Sequence, residues 1–213
     1  MAHLFPVFVN LEGKNCLIVG GGKVAERKAA NLFEYGAAIT VVSPEVTENL
    51  KKWAEDGLIA LHLRKFEIKD LNGIFMVFAA TNDNNLNYEI AGLCREQGIL
   101  INAVDDPPNC DFYVPSIVRR NSLAIAISTE GKSPLFAKKL RKELEEIIPS
   151  GYGWYVDLLG ELRKEIKSKV ADISEREEIF NKLIDDDILN WLKAGEYKKV
   201  RERVEECISY LQD

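Results

Sequence analysis

Between residues 15 and 103 the chain alternates two hydrophobic patterns. Short continuous apolar runs fall at 16–19, 39–42, 74–80 and 99–104, and they are rich in Val and Ile. Their length and β-branching predict strands buried on both faces of a parallel sheet. Between the runs, apolar residues recur at helical spacing: Ala25, Ala29, Leu32 and Phe33, then Leu86, Ile90, Leu93 and Cys94. These stretches read as helices with one face against the sheet. Residues 59–63 alternate strictly and predict a further strand nearer an edge. Strand and helix in alternation define an α/β, Rossmann-type parallel sheet.

The pattern changes after Pro107 and Pro108. Residues 122–128 predict another strand, which leads through Gly131 into a helix opening at Ser133 and Pro134. Serine suits the N-cap and proline the first helical position. This helix runs to Ile148 and stops at Pro149, Ser150 and Gly151. The remainder is helical. Tyr155, Leu158, Leu159, Leu162, Ile166 and Val170 form one apolar stripe, and Tyr197, Val200, Val204, Cys207, Ile208 and Leu211 form another. The expected organisation is an α/β domain over 1–113, a mixed α/β segment over 114–150 and a helical C-terminal domain over 151–213.

Composition narrows the range of partners. The 213 residues are 46% hydrophobic and carry a formal net charge of -6, so there is core enough to fold and no basic field to draw nucleic acid. No apolar run approaches the roughly 20 residues that cross a bilayer. Residues 1–6 lack the basic and apolar regions of a signal peptide, which sets the expectation of a cytoplasmic protein with no membrane contact. Cys16, Cys94, Cys110 and Cys207 are scattered, with no CxxC pair, and only His3 and His62 accompany them. Reduced thiols and no protein metal site are expected.

The candidate chemistry begins at Gly20. Residues 20–25, Gly-Gly-Gly-Lys-Val-Ala, fit G-x-G-x-x-A directly after a strand and directly before a helix. The first glycine permits the tight turn, and the second, Gly22, lets the backbone approach a pyrophosphate. Ala25 lets the helix pack close to the sheet, and the N–H groups of Lys23 and Val24 face the phosphates with the helix dipole behind them. The cofactor expected is NAD. At the end of the second strand stand Ser43, Pro44 and Glu45, and either Ser43 or Glu45 reaches the adenosine ribose. No Arg or Lys is expected nearby to pair with a 2′-phosphate, which favours NAD over NADP.

Two further strand ends belong to the same edge. Ala80 and Thr81 are small enough to leave room for the nicotinamide ribose, and Asn102 and Val104 close the list of cofactor contacts. Asp105 follows the last strand. A carboxylate there can take a proton while a hydride leaves a substrate. Asp105-Asp106-Pro107-Pro108 is equally ordinary turn chemistry.

Several stretches together resemble the precorrin-2 dehydrogenase family, which includes the N-terminal module of sirohaem synthase. They are residues 5–11, 16–28, 79–83, 102–105, 111–120 and 127–134, and the Gly131-Lys132-Ser133-Pro134 stretch is the most specific. The resemblance implies oxidation of precorrin-2 to sirohydrochlorin with NAD as hydride acceptor, on the route to sirohaem. It implies Asp105 as catalytic base, a homodimer with its dimerisation segment after residue 114, and a stand-alone form with no fused methyltransferase. Some family members also insert iron or cobalt, and the macrocycle itself supplies the nitrogens. Arg119, Arg120, Ser128, Thr129 and Lys132 become candidate contacts for the rim carboxylates of the tetrapyrrole. Lys138, Lys139 and Arg141 fit that role or a solvated helix face alike. A non-catalytic NAD-sensing module in a dimeric regulator accounts for the glycine turn too, but not for a strand-end carboxylate. A hydroxy-acid dehydrogenase lacks the histidine it needs near a strand end.

Overall fold

The computed structural model describes residues 3–209. The chain forms two compact units, Met1–Val114 and Pro115–Asp213. In the first, strands β1 (Asn15–Val19), β2 (Ala38–Val42), β3 (Ala60–His62), β4 (Met76–Ala79) and β5 (Leu100–Ala103) form one sheet. The order is β3-β2-β1-β4-β5 and every pairing is parallel. The alternating strand lies at an edge, as its half-polar pattern requires. Helices α1 (Lys23–Phe33), α2 (Glu48–Glu55) and α3 (Asn84–Gln97) connect the strands.

Successive strand residues face opposite layers. Cys16 and Ile18 pack with Ala25, Ala29 and Leu50, whereas Leu17 and Val19 pack with Ile90, Ala91 and Cys94. Both faces are covered, which is why the central strands read as unbroken apolar runs. Burial pushes the Cys16 and Cys94 thiols up to about 11, so they are inert core groups. Helix α2 was not legible in the periodicity, because Leu50 is its one buried residue. Its start is marked instead by Thr47, whose hydroxyl accepts from the Leu50 N–H at 3.4 Å.

In the second unit, β6 (Ser116–Arg120) and β7 (Leu123–Ile127) form an antiparallel hairpin around Asn121, which takes a positive φ of 49°. Helix α4 (Pro134–Ile147) opens as expected, with the Ser133 hydroxyl accepting from the Phe136 N–H at 3.3 Å. Helix α5 (Ser150–Lys169) lies so close to β6 that a Cβ at Gly153 would overlap the Arg120 carbonyl. Helices α6 (Ile173–Lys182), α7 (Asp186–Ala194) and α8 (Tyr197–Ile208) complete a helical core. Tyr155, Leu162 and Ile166 pack there with Leu183, Ile188, Val200 and Val204. Leu211, the last residue of the second stripe, lies outside the described residues. Among those residues no helix is long and apolar enough to cross a membrane.

Candidate active site

The registers Val19↔Val42, Val19↔Ala79 and Ala79↔Ala103 bring four strands to a common carboxyl edge. A cleft of about 990 Å³ opens there. Gly20, Gly21, Gly22, Lys23 and Val24 line it from the β1–α1 turn, Ser43, Pro44 and Glu45 from the end of β2, and Ala80 and Thr81 from the end of β4. Three separate sequence segments predicted to bind one ligand therefore meet in one cavity.

The three glycines have different duties. Gly20 has φ 121°, a conformation L side chains rarely adopt, and a Cβ there would overlap the Ala80 carbonyl oxygen. A Cβ at Gly21 would overlap the Glu45 carbonyl oxygen, and the Gly21 carbonyl accepts from the Thr47 N–H at 3.0 Å. These two let the β2 and β4 loops close onto the turn. At Gly22 a Cβ would meet nothing within 4 Å. Gly22 is also the N-cap of α1 and offers no side-chain cap. An uncapped helix start beside open space is the fit a pyrophosphate needs.

At the end of β2, the Ser43 hydroxyl donates to the Glu45 carbonyl at 2.7 Å and so shapes its own loop. The expectation that no basic residue stands nearby needs correction. Lys65 and Phe66, which follow β3, also line the cleft. The Ser43 and Arg64 N–H groups both donate to the His62 carbonyl, at 3.1 and 2.9 Å, and so bring this turn beside Ser43. Some twenty residues separate the two in sequence, so reading along β2 alone misses them.

Asn87 on α3 is a second residue that the sequence did not single out. It is 3% exposed. Its amide oxygen accepts from the Thr81 hydroxyl at 2.7 Å and the Thr81 N–H at 3.3 Å, and its amide nitrogen donates to the Thr81 carbonyl at 3.1 Å. The Asp83 carboxylate caps α3 by accepting from the Asn85 and Leu86 N–H groups. Together they fix the strand-end turn that faces the cleft. Asn87→Leu is expected to leave the Thr81 N–H and carbonyl unpaired, while the hydroxyl keeps its contacts to the Asp83 backbone, at about 1–3 kcal/mol for each group that stays buried. A lower melting temperature and weakened NADH binding in a fluorescence titration are the expected results. An unchanged titration would show that Thr81 does not depend on Asn87.

The end of β5 separates neighbouring residues. Asn102 is buried at 8% exposure, and its amide donates to the Phe112 carbonyl at 2.9 Å. The Val104 N–H donates to the Ala79 carbonyl at 2.9 Å. Neither residue lines the cleft, because both tie the strand end together. Of the aspartate pair, Asp106 performs the turn chemistry: its carboxylate accepts from the Asn109 amide at 2.6 Å, and Arg95 donates to Asn109 at 2.6 Å and to the Pro108 carbonyl at 3.2 Å. Asp105 is exposed at φ 60°. Among the described residues its carboxylate makes no hydrogen bond or ion pair. Its electrostatic neighbour is Lys28, whose ammonium lies 5.0 Å above the Phe78 ring. Burial lowers the Lys28 pKa, helped by nearby Arg27, while Cys110 and Asp105 pull it back up.

In the second unit the Arg120 guanidinium is directed at backbone. It donates to the carbonyls of Ile148, Arg119 and Glu145 at 2.9, 3.0 and 2.8 Å. It clamps α4 to β6 rather than presenting a free fork. The Ser128 hydroxyl accepts from the Glu130 N–H at 3.1 Å, and the Thr129 hydroxyl accepts from the Ser133 N–H at 3.1 Å. Lys132 pairs with Glu130 at 3.1 Å but remains 74% exposed. Arg141 pairs with Glu145 one turn along α4, and Lys138 and Lys139 are exposed on that helix.

A parallel sheet in this order, with a glycine turn feeding a bare helix start at its carboxyl edge, defines a dinucleotide-binding Rossmann-type protein. The chain belongs to the NAD(P)-binding family whose model matches residues 7–116. The sirohaem biosynthesis protein central model matches residues 120–147, and the sirohaem synthase dimerisation region matches 151–208. The chain is 36% identical over 203 residues to the siroheme synthase of Nitrosococcus oceani, covering 95% of this chain and 43% of that one. It is 39% identical over 206 residues to siroheme synthase 2 of Yersinia enterocolitica, covering 96% and 44%. It thus spans less than half the length of these relatives. The solved structure of SirC, precorrin-2 dehydrogenase, superposes with a TM-score of 0.80 at 29% identity, covering 97% of this chain and 100% of that one.

Proposed function

We propose that this protein oxidises precorrin-2 to sirohydrochlorin with NAD as hydride acceptor, in cytoplasmic sirohaem biosynthesis. The observation that carries the reading is the division of labour at the end of β5: Asp106 holds the turn, and Asp105 is left with an unpaired carboxylate one strand from the dinucleotide cleft. A regulatory module has no use for that arrangement.

The chain's own residues divide the work as follows. The Lys23 and Val24 N–H groups bind the pyrophosphate over Gly22. Ser43 and Glu45 hold the adenosine ribose, and Ala80 and Thr81 shape the nicotinamide end. When bound, NAD supplies the redox chemistry by accepting a hydride. Asp105 takes the second hydrogen of the oxidised bond as a proton and passes it to water. Arg119, Ser128, Thr129 and Lys132 are the proposed contacts for the substrate's rim carboxylates, whereas the Arg120 guanidinium is engaged by backbone carbonyls.

A homodimer fits the exposed apolar surface of the second unit. Leu135 is 82% and Phe136 58% exposed at the start of α4, and the two-stranded β6–β7 hairpin has open edges. We propose that the second unit carries dimerisation: residues 114–150 supply the hairpin and the exposed start of α4, and the helical domain from residue 151, whose residues 151–208 match the dimerisation region, takes part with them.

The direct test mixes protein, precorrin-2 and NAD anaerobically. NADH and the sirohydrochlorin spectrum are expected to appear together. NAD binding without turnover would replace this reading with the sensing module. Adding cobalt at the end of the reaction tests metal insertion by the same chain, read as a cobalt-dependent spectral change above the protein-free rate.

A further inference from the structure

The turn after β3 is built more firmly than a surface loop needs. Arg64 holds Asp70 through two nitrogens, at 2.8 and 2.6 Å, and donates to the Lys65 carbonyl at 3.0 Å. Asp70 in turn accepts from the Glu67 N–H at 2.9 Å. A bidentate guanidinium–carboxylate pair fixes direction as well as distance. The backbone that carries Lys65 and Phe66 is therefore held in place at the wall of the cleft. Phe66 packs into the layer that also contains Leu86, a second lining residue, so the apolar part of this wall suits an adenine ring. Lys65 is exposed, and among the described residues its ammonium makes no ion pair.

Beside it, β2 ends at Val42 and is followed by Ser43 rather than by a carboxylate. An acid at that position accepts from the ribose 2′-hydroxyl and repels a 2′-phosphate, and a cation does the reverse. Ser43 supplies no such repulsion, its hydroxyl proton being given to the Glu45 carbonyl, so the charges that compete at this wall are the Glu45 carboxylate and a cation. Arg64 cannot serve, because Asp70 holds it. The available cation is Lys65.

We infer that Lys65 is the selectivity residue of the adenosine ribose site, and that it gives the cleft affinity for NADP as well as NAD by meeting the 2′-phosphate. This rests on the dinucleotide reading of the cleft but not on the identity of the hydride donor. Isothermal titration of the full chain with NAD, NADP and 2′,5′-ADP tests it. Wild type is expected to bind all three. Lys65→Gln is expected to weaken NADP and 2′,5′-ADP by about tenfold, the size of one charge-assisted hydrogen bond, with NAD nearly unchanged. Lys65→Glu should widen the gap, and rising salt should narrow it in wild type. The Arg64–Asp70 clamp is untouched in both variants, and a melting curve checks their folding. The inference is overturned if wild type binds no NADP, if Lys65→Gln leaves NADP affinity unchanged, or if NAD weakens equally. Failure of NAD itself to bind wild type would instead sink the cofactor reading.

Discussion

Asp105→Asn is expected to lower precorrin-2 turnover by about 10³-fold, the usual size of a lost general base, while NAD affinity stays unchanged. Asparagine tolerates the positive φ of 60° at this position, so the variant removes the base without straining the turn. Alanine removes it too, but pays roughly 1–2 kcal/mol for the left-handed backbone. The cofactor cleft is lined without Asp105, which is why binding should survive. Asp106→Asn provides the contrast. It alters the contact to Asn109 and is expected to change stability more than chemistry. Single-turnover NADH formation and an NADH titration on the same samples separate the two effects. Near-wild-type turnover by Asp105→Asn would remove Asp105 from the mechanism.

Gly22→Ala is expected to abolish measurable dinucleotide binding with little change in melting temperature. Gly20→Ala is expected to damage both. At Gly22 the added methyl enters open space on the ligand side of the turn, and its φ of -81° suits any residue. At Gly20 the methyl meets the Ala80 carbonyl and the backbone is left-handed. Overpacking and strain together cost about 2–5 kcal/mol, a large part of a typical domain's stability. Thermal unfolding with and without NAD distinguishes the cases. If Gly22→Ala is still stabilised by NAD, the pyrophosphate does not lie over that residue.

The sheet was legible because parallel strands buried on both faces leave an unmistakable apolar run, and because Gly20 to Ala25 mark where strand becomes helix. Ten predicted cofactor contacts lie on three strand ends and converge in the cleft, since the topology rule concerns strand ends as such. Asn102 and Val104 share that edge, but Asn102 is buried and the Val104 N–H ties β5 to β4, contacts that residue position alone does not reveal. In the sequence Arg120 and Lys132 are alike, each a basic residue of the second unit. Only the geometry shows its fork closing on three carbonyls. Lys65 lies beside a segment remote in sequence, whereas Asn87 binds Thr81 only six residues away, and neither an isolated lysine nor a helical asparagine carries a local signature. The strand β6 lacks a clear period because its burial is uneven along its length.

The close seating of Gly20 and Gly21 against the Ala80 and Glu45 carbonyls has a thermodynamic consequence. Both walls of the cleft rest on consecutive residues of one rigid turn, so neither has to be ordered by the incoming nucleotide. Little conformational entropy is lost on association, and the contact energy of the adenosine half remains available to hold the nicotinamide in register with its donor. In the proposed reaction, preorganisation of this kind would make the remote end of the cofactor a participant in catalysis, although it touches no reacting atom.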